Sequence, residues 1–372
     1  MKFTVNQKEL LNNLLIVNKA VSNKNIQPLL SGIYLEAKED NKLIIRGTDM
    51  ELGIESEVSA FVEESGKIVL PSKYFVEIVR KLPMMDLELS TEENSQIKII
   101  YGSSEIKLNY FEGSEYPSIH DFEGECVLKI KGDDLVNAIS LSQVVVSTDM
   151  SRPIFTGILL EIKNDKLNFV SSDTHRLCYT YIENIEKNVD RWESIVPAKS
   201  LKEVAYIIHE DEEIEIHITS NRILFKSRNI KVTSRLIEGK FVNYEQVIPK
   251  EFSTDINIIK KSLLDSLERA FVLTRDEIKS KLNTVKFNIK EKVLIISSRA
   301  SEVGDIYEEI PIYLQGKEIE LGFNGKYLIE ILRNIDGEEI SINLNDPQSP
   351  GIIKGNQGNE KFIYLILPVR LQ

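Results

Sequence analysis

The segment Val170–Leu177 reads VSSDTHRL, the end of an apolar strand that passes through hydroxyls, an acid and two bases before returning to leucine. Two distant stretches echo it, RGTDMEL at Arg46–Leu52 and SSRASEV at Ser297–Val303. Each follows an alternating apolar run and precedes another strand-like segment. The chain therefore repeats itself three times. At its end stands LILPVRL, Leu365–Leu371, whose apolar residues need something to pack against or to hold.

Working outward from the echoes, the same parts recur in the same order. The first repeat opens with KFTV and a stretch in which Leu10, Leu11, Leu14, Leu15 and Val17 fall at helical spacing. GIYLEAKED and KLIIRGTD follow as strands joined by a turn at Asp40 and Asn41. In KIVLPSKYFVEIVRKLP, Pro71 and Ser72 start a helix and Pro83 stops it, and three further strands close the unit. The second repeat begins near Cys126 and the third near Glu251, an offset of about 125 residues. That period is far longer than a solenoid repeat, so each unit can bury its own core. The expected fold class is α+β: three tandem copies of a two-helix, antiparallel-sheet domain, bounded at 1–125, 126–250 and 251–372.

The helix in the second half of each repeat carries the sharpest internal signal. Lys73, Lys199 and Lys326 stand at matching positions (PSK, PAK, NGK), followed seven residues later by Arg80, Tyr206 and Arg333. Two helical turns separate them, which puts each pair on one face. Opposite lie Phe75, Ile78, Val79 and Leu82, matched by Leu201, Val204, Ala205 and Ile208, then Leu328, Ile331, Leu332 and Ile335. Each domain should present a helix with its back to a sheet and its bases outward. A plainer account is a solvated face on which Glu77, Glu203 and Glu330 pair with those lysines at i+4.

With 372 residues, 42% apolar and 28% charged, the chain is expected to be soluble and to hold two or three domains. No apolar run approaches the roughly 20 residues that span a bilayer, and MKFTVNQKEL lacks a signal-peptide pattern, so a cytoplasmic protein without membrane contact is expected. Cys126 and Cys178 show no metal spacing. A net charge of −12 argues against coating nucleic acid indiscriminately, but leaves room for one segregated basic face. There is no phosphate-binding glycine loop followed by lysine, no paired-histidine metal motif and no Gly-x-Ser-x-Gly turn. Asp173 and His175 are the only hint of acid–base chemistry, and no third group accompanies them.

Taken together, MKFTV, GTDMELGIE, VLPSKYFVEIVRKLP, SSDTHRL, IVPAKSL, GFNGKYLIEIL and LPVRL resemble the bacterial DNA polymerase III beta subunit, the replicative sliding clamp, from Met1 to Leu371. The resemblance implies a non-catalytic processivity factor without cofactor. Two chains would join head to tail in a six-domain ring, with helices lining the hole and double-stranded DNA held without regard to sequence. Implied partners are the DNA polymerase III alpha subunit, a clamp loader and other clamp-motif proteins such as repair polymerases, ligase and mismatch-repair proteins. Lys24, Lys73, Arg80, Arg152, Lys199, Lys326 and Arg333 would face DNA.

Carried over position by position, a peptide groove would comprise Phe155, Ser172, Thr174, His175, Arg176, Leu177, Val242, Gln246, Val247, Asn324 and Tyr327, closed by Leu367, Pro368, Val369, Arg370 and Leu371. Leu177, Val247, Leu367 and Pro368 would give an apolar floor, and His175 and Arg176 would offer donors to peptide carbonyls or an acid. Val242 stands where many relatives have proline, Gln246 replaces a frequent arginine, and Gln372 extends past the groove's end. The dimer contact would join Ile106 and Leu108 to Val272 and Leu273. Two other possibilities compete: an acidic, triplicated interaction scaffold that encircles nothing, and an α+β enzyme built on Asp173 and His175.

Overall fold

The computed structural model describes residues 1–22, 27–117, 122, 124–208, 212–274, 283–300, 304–355 and 361–371. Lys24, Gln372 and the end of the third echo, residues 301–303, lie outside them.

Each repeat contributes two helices: α1 (Gln7–Val17) and α2 (Ser72–Lys81), α3 (Gly132–Gln143) and α4 (Ala198–Ile207), α5 (Lys260–Thr274) and α6 (Gly325–Arg333). Local chemistry sets their ends. Asn6 caps α1 by accepting from the Lys8 amide, and Asn324 caps α6 by accepting from those of Lys326 and Tyr327. Leu82, ahead of Pro83, turns extended (ψ 150°) and terminates α2. The buried stripes run wider than expected. Phe75, Val79 and Leu82 are buried, but Val76 is buried where Ile78 is half-buried, and in α4 Ile207 is buried where Ala205 is half-buried. In α1, Leu10, Leu14 and Val17 are buried while Leu15 is left exposed.

The strands pair antiparallel in four sheets. A five-stranded sheet from the first repeat ends at Ser104–Asn109, and a four-stranded sheet from the third ends at Gly304–Pro311. The ten- and nine-stranded sheets each run across a repeat boundary. In the first, Leu52–Ser59 pairs with Ile230–Arg235, placing Ile54 opposite Val232. In the second, Arg176–Ile182 pairs with Phe362–Ile366, placing Cys178 opposite Tyr364 and Leu177 opposite Leu365. At both junctions the fourth strand of one repeat meets the last strand of the next.

Packing groups the residues into two compact units. One holds Met1–Asp133, Glu186–Val189 and Glu203–Leu236; the other holds Asp134–Ile185, Asp190–Lys202 and Ile237–Gln372. In the first unit, the junction buries Glu55 between Arg46 Nε (2.6 Å) and Lys231 Nζ (2.7 Å). Burial alone would raise the Glu55 carboxyl, but Lys231 and Arg46 outweigh it and hold it below the usual carboxylate range. In the second unit, Phe362–Ile366 is buried on both faces. Leu365 joins Phe155, Leu177 and Tyr244 in one core, while Phe362, Tyr364 and Ile366 join the third-repeat core of Leu263, Phe287 and Leu328. Among the described residues no helix is long and apolar enough to cross a membrane.

Candidate peptide groove and repeat edges

The opening motif and its first echo are the same turn at atomic detail. Ser172 Oγ donates to the Arg176 carbonyl (2.9 Å) and accepts from Thr174 N, while Asp173 Oδ1 accepts from the amides of His175 and Arg176 (3.0 Å each). In the first repeat Thr48 and Asp49 serve Met50, Glu51 and Leu52 in the same way. Thr174 and Met50 take the matching left-handed residue, at φ 76° and 78°. The short Asp and hydroxyl side chains bond their own backbone and fix a bend that few sequences make. Asp173 is thus committed to structure, receiving the backbone N–H of His175, and the pair does not form an acid–base couple.

Arg176 departs from its expected role as a free donor. It is buried (7% exposed), with Nε 2.9 Å from Asp173 Oδ2 and its guanidinium 4.2 Å from the centre of the Tyr327 ring. Nη1 approaches Glu330 Oε2 to 2.7 Å, a close charge pair that lacks the direction of a hydrogen bond. Both acids already satisfy this cation, so it braces the second-repeat strand against α6. The His175 ring stacks on Tyr327 at 6.3 Å. Burial, reinforced by Asp173, raises the Tyr327 hydroxyl, so it stays a neutral donor.

The C-terminal segment leaves its sheet here. Leu367 N donates to the His175 carbonyl (2.9 Å) and Val369 N to the Gly322 carbonyl (2.8 Å), which stitches the segment to the Asp173–His175 turn and to the strand Ile319–Asn324. Gly322 leaves no room for a side chain, since an added Cβ would meet Leu371 Cδ2 at 2.8 Å and Val369 O at 2.9 Å. Leu367 (37%) and Leu371 (39%) remain exposed, Pro368 and Val369 are half-buried, and Arg370 is exposed. Phe155, Leu177, Ser172 and Asn324 are buried, Tyr327 is half-buried, and Thr174 and His175 are exposed. Val242 (37%) and Val247 (43%) are exposed, as is Gln246. The second unit therefore gathers exposed apolar tips over a buried apolar bed. Gly322, Tyr244 and Glu161, which support these residues, carry no signal of that role in the sequence; Glu330 carries one, but for Lys326, which lies 3.9 Å away and is the lesser partner.

Lys73, Arg80, Arg152, Lys199, Lys326 and Arg333 are all exposed. The expected lysine pairings differ in detail: Glu77 meets Arg80 (2.5 Å), and Glu203 meets Lys19 (3.2 Å). Lys19 Nζ also sits 3.6 Å over the ring of Tyr206, where the other repeats have arginine. Arg333 is held by Glu268 at 2.8 Å. At the sheet edges, Ile106 and Leu108 are half-buried on Ser104–Asn109, whereas Val272 (57%) near the end of α5 and Tyr307 (61%) on Gly304–Pro311 are exposed; Leu273 is half-buried.

Three consecutive family models match the chain: the DNA polymerase III beta subunit N-terminal domain at residues 1–120, its central domain at 129–243 and its C-terminal domain at 245–370. The chain belongs to the DNA polymerase III beta subunit family. As a sliding-clamp subunit it is a processivity factor of DNA replication, not a catalyst. The beta sliding clamp of Staphylococcus aureus strain Mu50 is 31% identical over 382 residues, covering 100% of this chain and 99% of that one. The sliding-clamp structure from Bacillus subtilis is 31% identical with a TM-score of 0.94, and that of the DNA polymerase III beta chain from Streptococcus pneumoniae 30% with 0.94, each covering 100% of both chains. The three tandem clamp domains and the mixed α+β fold agree with the expectation drawn from the repeats.

Proposed function

We propose that two copies of this clamp subunit close head to tail into a ring that encircles double-stranded DNA in the cytoplasm. Three domains bounded near residues 125 and 250 in each copy would make six. The observation that carries the ring is a missing junction. The fourth strand of the first repeat is covered by the last strand of the second, and that of the second by the last strand of the third. The fourth strand of the third repeat, Gly304–Pro311, and the last long strand of the first, Ser104–Asn109, are left as open edges. Open edges invite pairing, and joining them between copies completes the pattern. Carrying the register of the two existing junctions over, Ile106 of one copy faces Ile306 of the next and Lys107 faces Asp305.

The exposed bases on the helices then serve a duplex. Phosphate contacts of this kind are salt-sensitive and equivalent along DNA, so the ring slides while topology keeps it on. In the second unit, the exposed tips of Val242, Val247, Leu367 and Leu371 would take the apolar anchors of a short peptide. The alpha subunit, clamp loader, repair polymerases, ligase and mismatch-repair proteins would present such peptides. A polymerase held this way has a raised effective concentration at its primer.

The test is sedimentation of the wild type beside Leu108→Asp, with oxidative cross-linking of an Ile106→Cys/Ile306→Cys double variant. A dimer that cross-links, and that Leu108→Asp reduces to monomers, is the expected result. A wild-type monomer at all concentrations, or a Leu108→Asp dimer, would refute the assigned edge.

A further inference from the structure

Resting on the proposed groove, we infer that Tyr244 and Glu161 form a latch that positions the 242–247 wall for the peptide without touching it. Within this wall a single turn, Tyr244–Gln246, is regular, so neither strand pairing nor a helix holds Val242 and Val247 in place. What anchors them is Tyr244, only 7% exposed between exposed neighbours. Its carbonyl accepts from the amides of Val247 (3.1 Å) and Ile248 (3.2 Å), and its ring stacks on Tyr179 at 5.7 Å. Its hydroxyl donates to Glu161 Oε2 at 2.6 Å.

Glu161 is the unexpected partner. It lies on the strand Gly157–Lys163, 6% exposed, and among the described residues no lysine or arginine pairs with it. A buried carboxylate without a cation is costly unless donors satisfy it. Those donors are the Tyr244 hydroxyl and, more distantly, Asn168 Nδ2 (3.5 Å); Asn168 Oδ1 in turn accepts from the Tyr179 hydroxyl (3.1 Å). A short hydrogen bond to an acid is strong and directional, whereas apolar packing alone lets a loop shift. The acid therefore gives the sheet a fixed point from which the wall hangs. Lys163 and Glu245 (2.5 Å) add a second tie on the solvent side.

The test measures binding of a fluorescein-labelled hexapeptide, with leucine and phenylalanine anchors in a neutral polar background, to the full-length protein. Tyr244→Phe should weaken it about tenfold, chiefly through faster release, with the dimer unchanged by sedimentation. Glu161→Gln should stay within about twofold, because its amide oxygen still accepts the phenol. The Glu161→Leu/Tyr244→Phe double variant separates position from stability. Removing both polar partners should restore thermal stability while affinity remains about tenfold down. Affinity that returns with stability, or a Tyr244→Phe protein that binds like wild type, would overturn the latch. A wild type that does not bind the peptide would overturn the groove itself, and the latch with it.

Discussion

Replacing Arg176 by methionine should damage fold and groove together. Methionine keeps the apolar stem, so no cavity opens and the loss reports on the charge. Three contacts go: Asp173 at 2.9 Å, Glu330 at 2.7 Å and the face of Tyr327 at 4.2 Å. Removing one partner of a buried ion pair costs about 3–5 kcal/mol, and a desolvated cation–π contact adds about 1–2. Two features pull the figure down. Asp173 keeps its two backbone donors, and the Glu330 side chain is 35% exposed and can be rehydrated. The expected loss is therefore about 3 kcal/mol. Urea titration at pH 7, followed by fluorescence of the single tryptophan, Trp192, reads this sheet directly because that residue lies on its outer strand. Arg176→Lys should recover only part, since an ammonium cannot reach both acids and stack on the ring. A loss below about 1 kcal/mol, with the labelled peptide still bound normally, would refute the bracing role.

Three further outcomes follow from the same geometry. Glu55→Gln should destabilise the first unit by about 1–2 kcal/mol at neutral pH. Because the folded carboxyl is held low, its stabilisation is present above the unfolded value near 4.5 and fades as pH falls through the lower folded value. Thermal melts of variant and wild type should therefore converge in acid, and a constant gap across that range would contradict the assignment. Gly322→Ala should push the C-terminal segment off its strand, costing about 1 kcal/mol for the Val369 bond and weakening peptide binding while leaving the dimer intact; unchanged peptide affinity would show that the segment is no part of the groove. For duplex binding, Lys73→Ala should lower the slope of log affinity against log salt by about one. Arg333→Ala should change it less, because Glu268 already compensates that charge at 2.8 Å, and equal effects would count against that compensation.

Much of the fold was legible in the chain because its signals are local. The VSSDTHRL bend and its first echo are built from side chains bonding their own backbone, so a similar wording gives the same turn twice. Asn and Pro at helix ends, and apolar residues at helical spacing, act within a few residues of where they stand. Recurrence at about 125 residues then multiplied one legible domain into three. The chain alone also placed Lys73, Lys326 and their partners seven residues on at the surface, since a helix has only one side to bury.

Tertiary structure decided which repeats share sheets, which acids hold which bases, and what supports the proposed groove. Arg176 looked available by sequence, and only the approach of α6 brought Glu330 and Tyr327 to it. Leu365 and Ile366 both turned out buried, because a strand that joins two repeats has a core on either face. Glu161 and Tyr244 are 83 residues apart and carry no motif. Hydrogen bonds and ion pairs of this kind depend on where distant backbones come to rest, and a pattern of residue types along one chain does not hold that information.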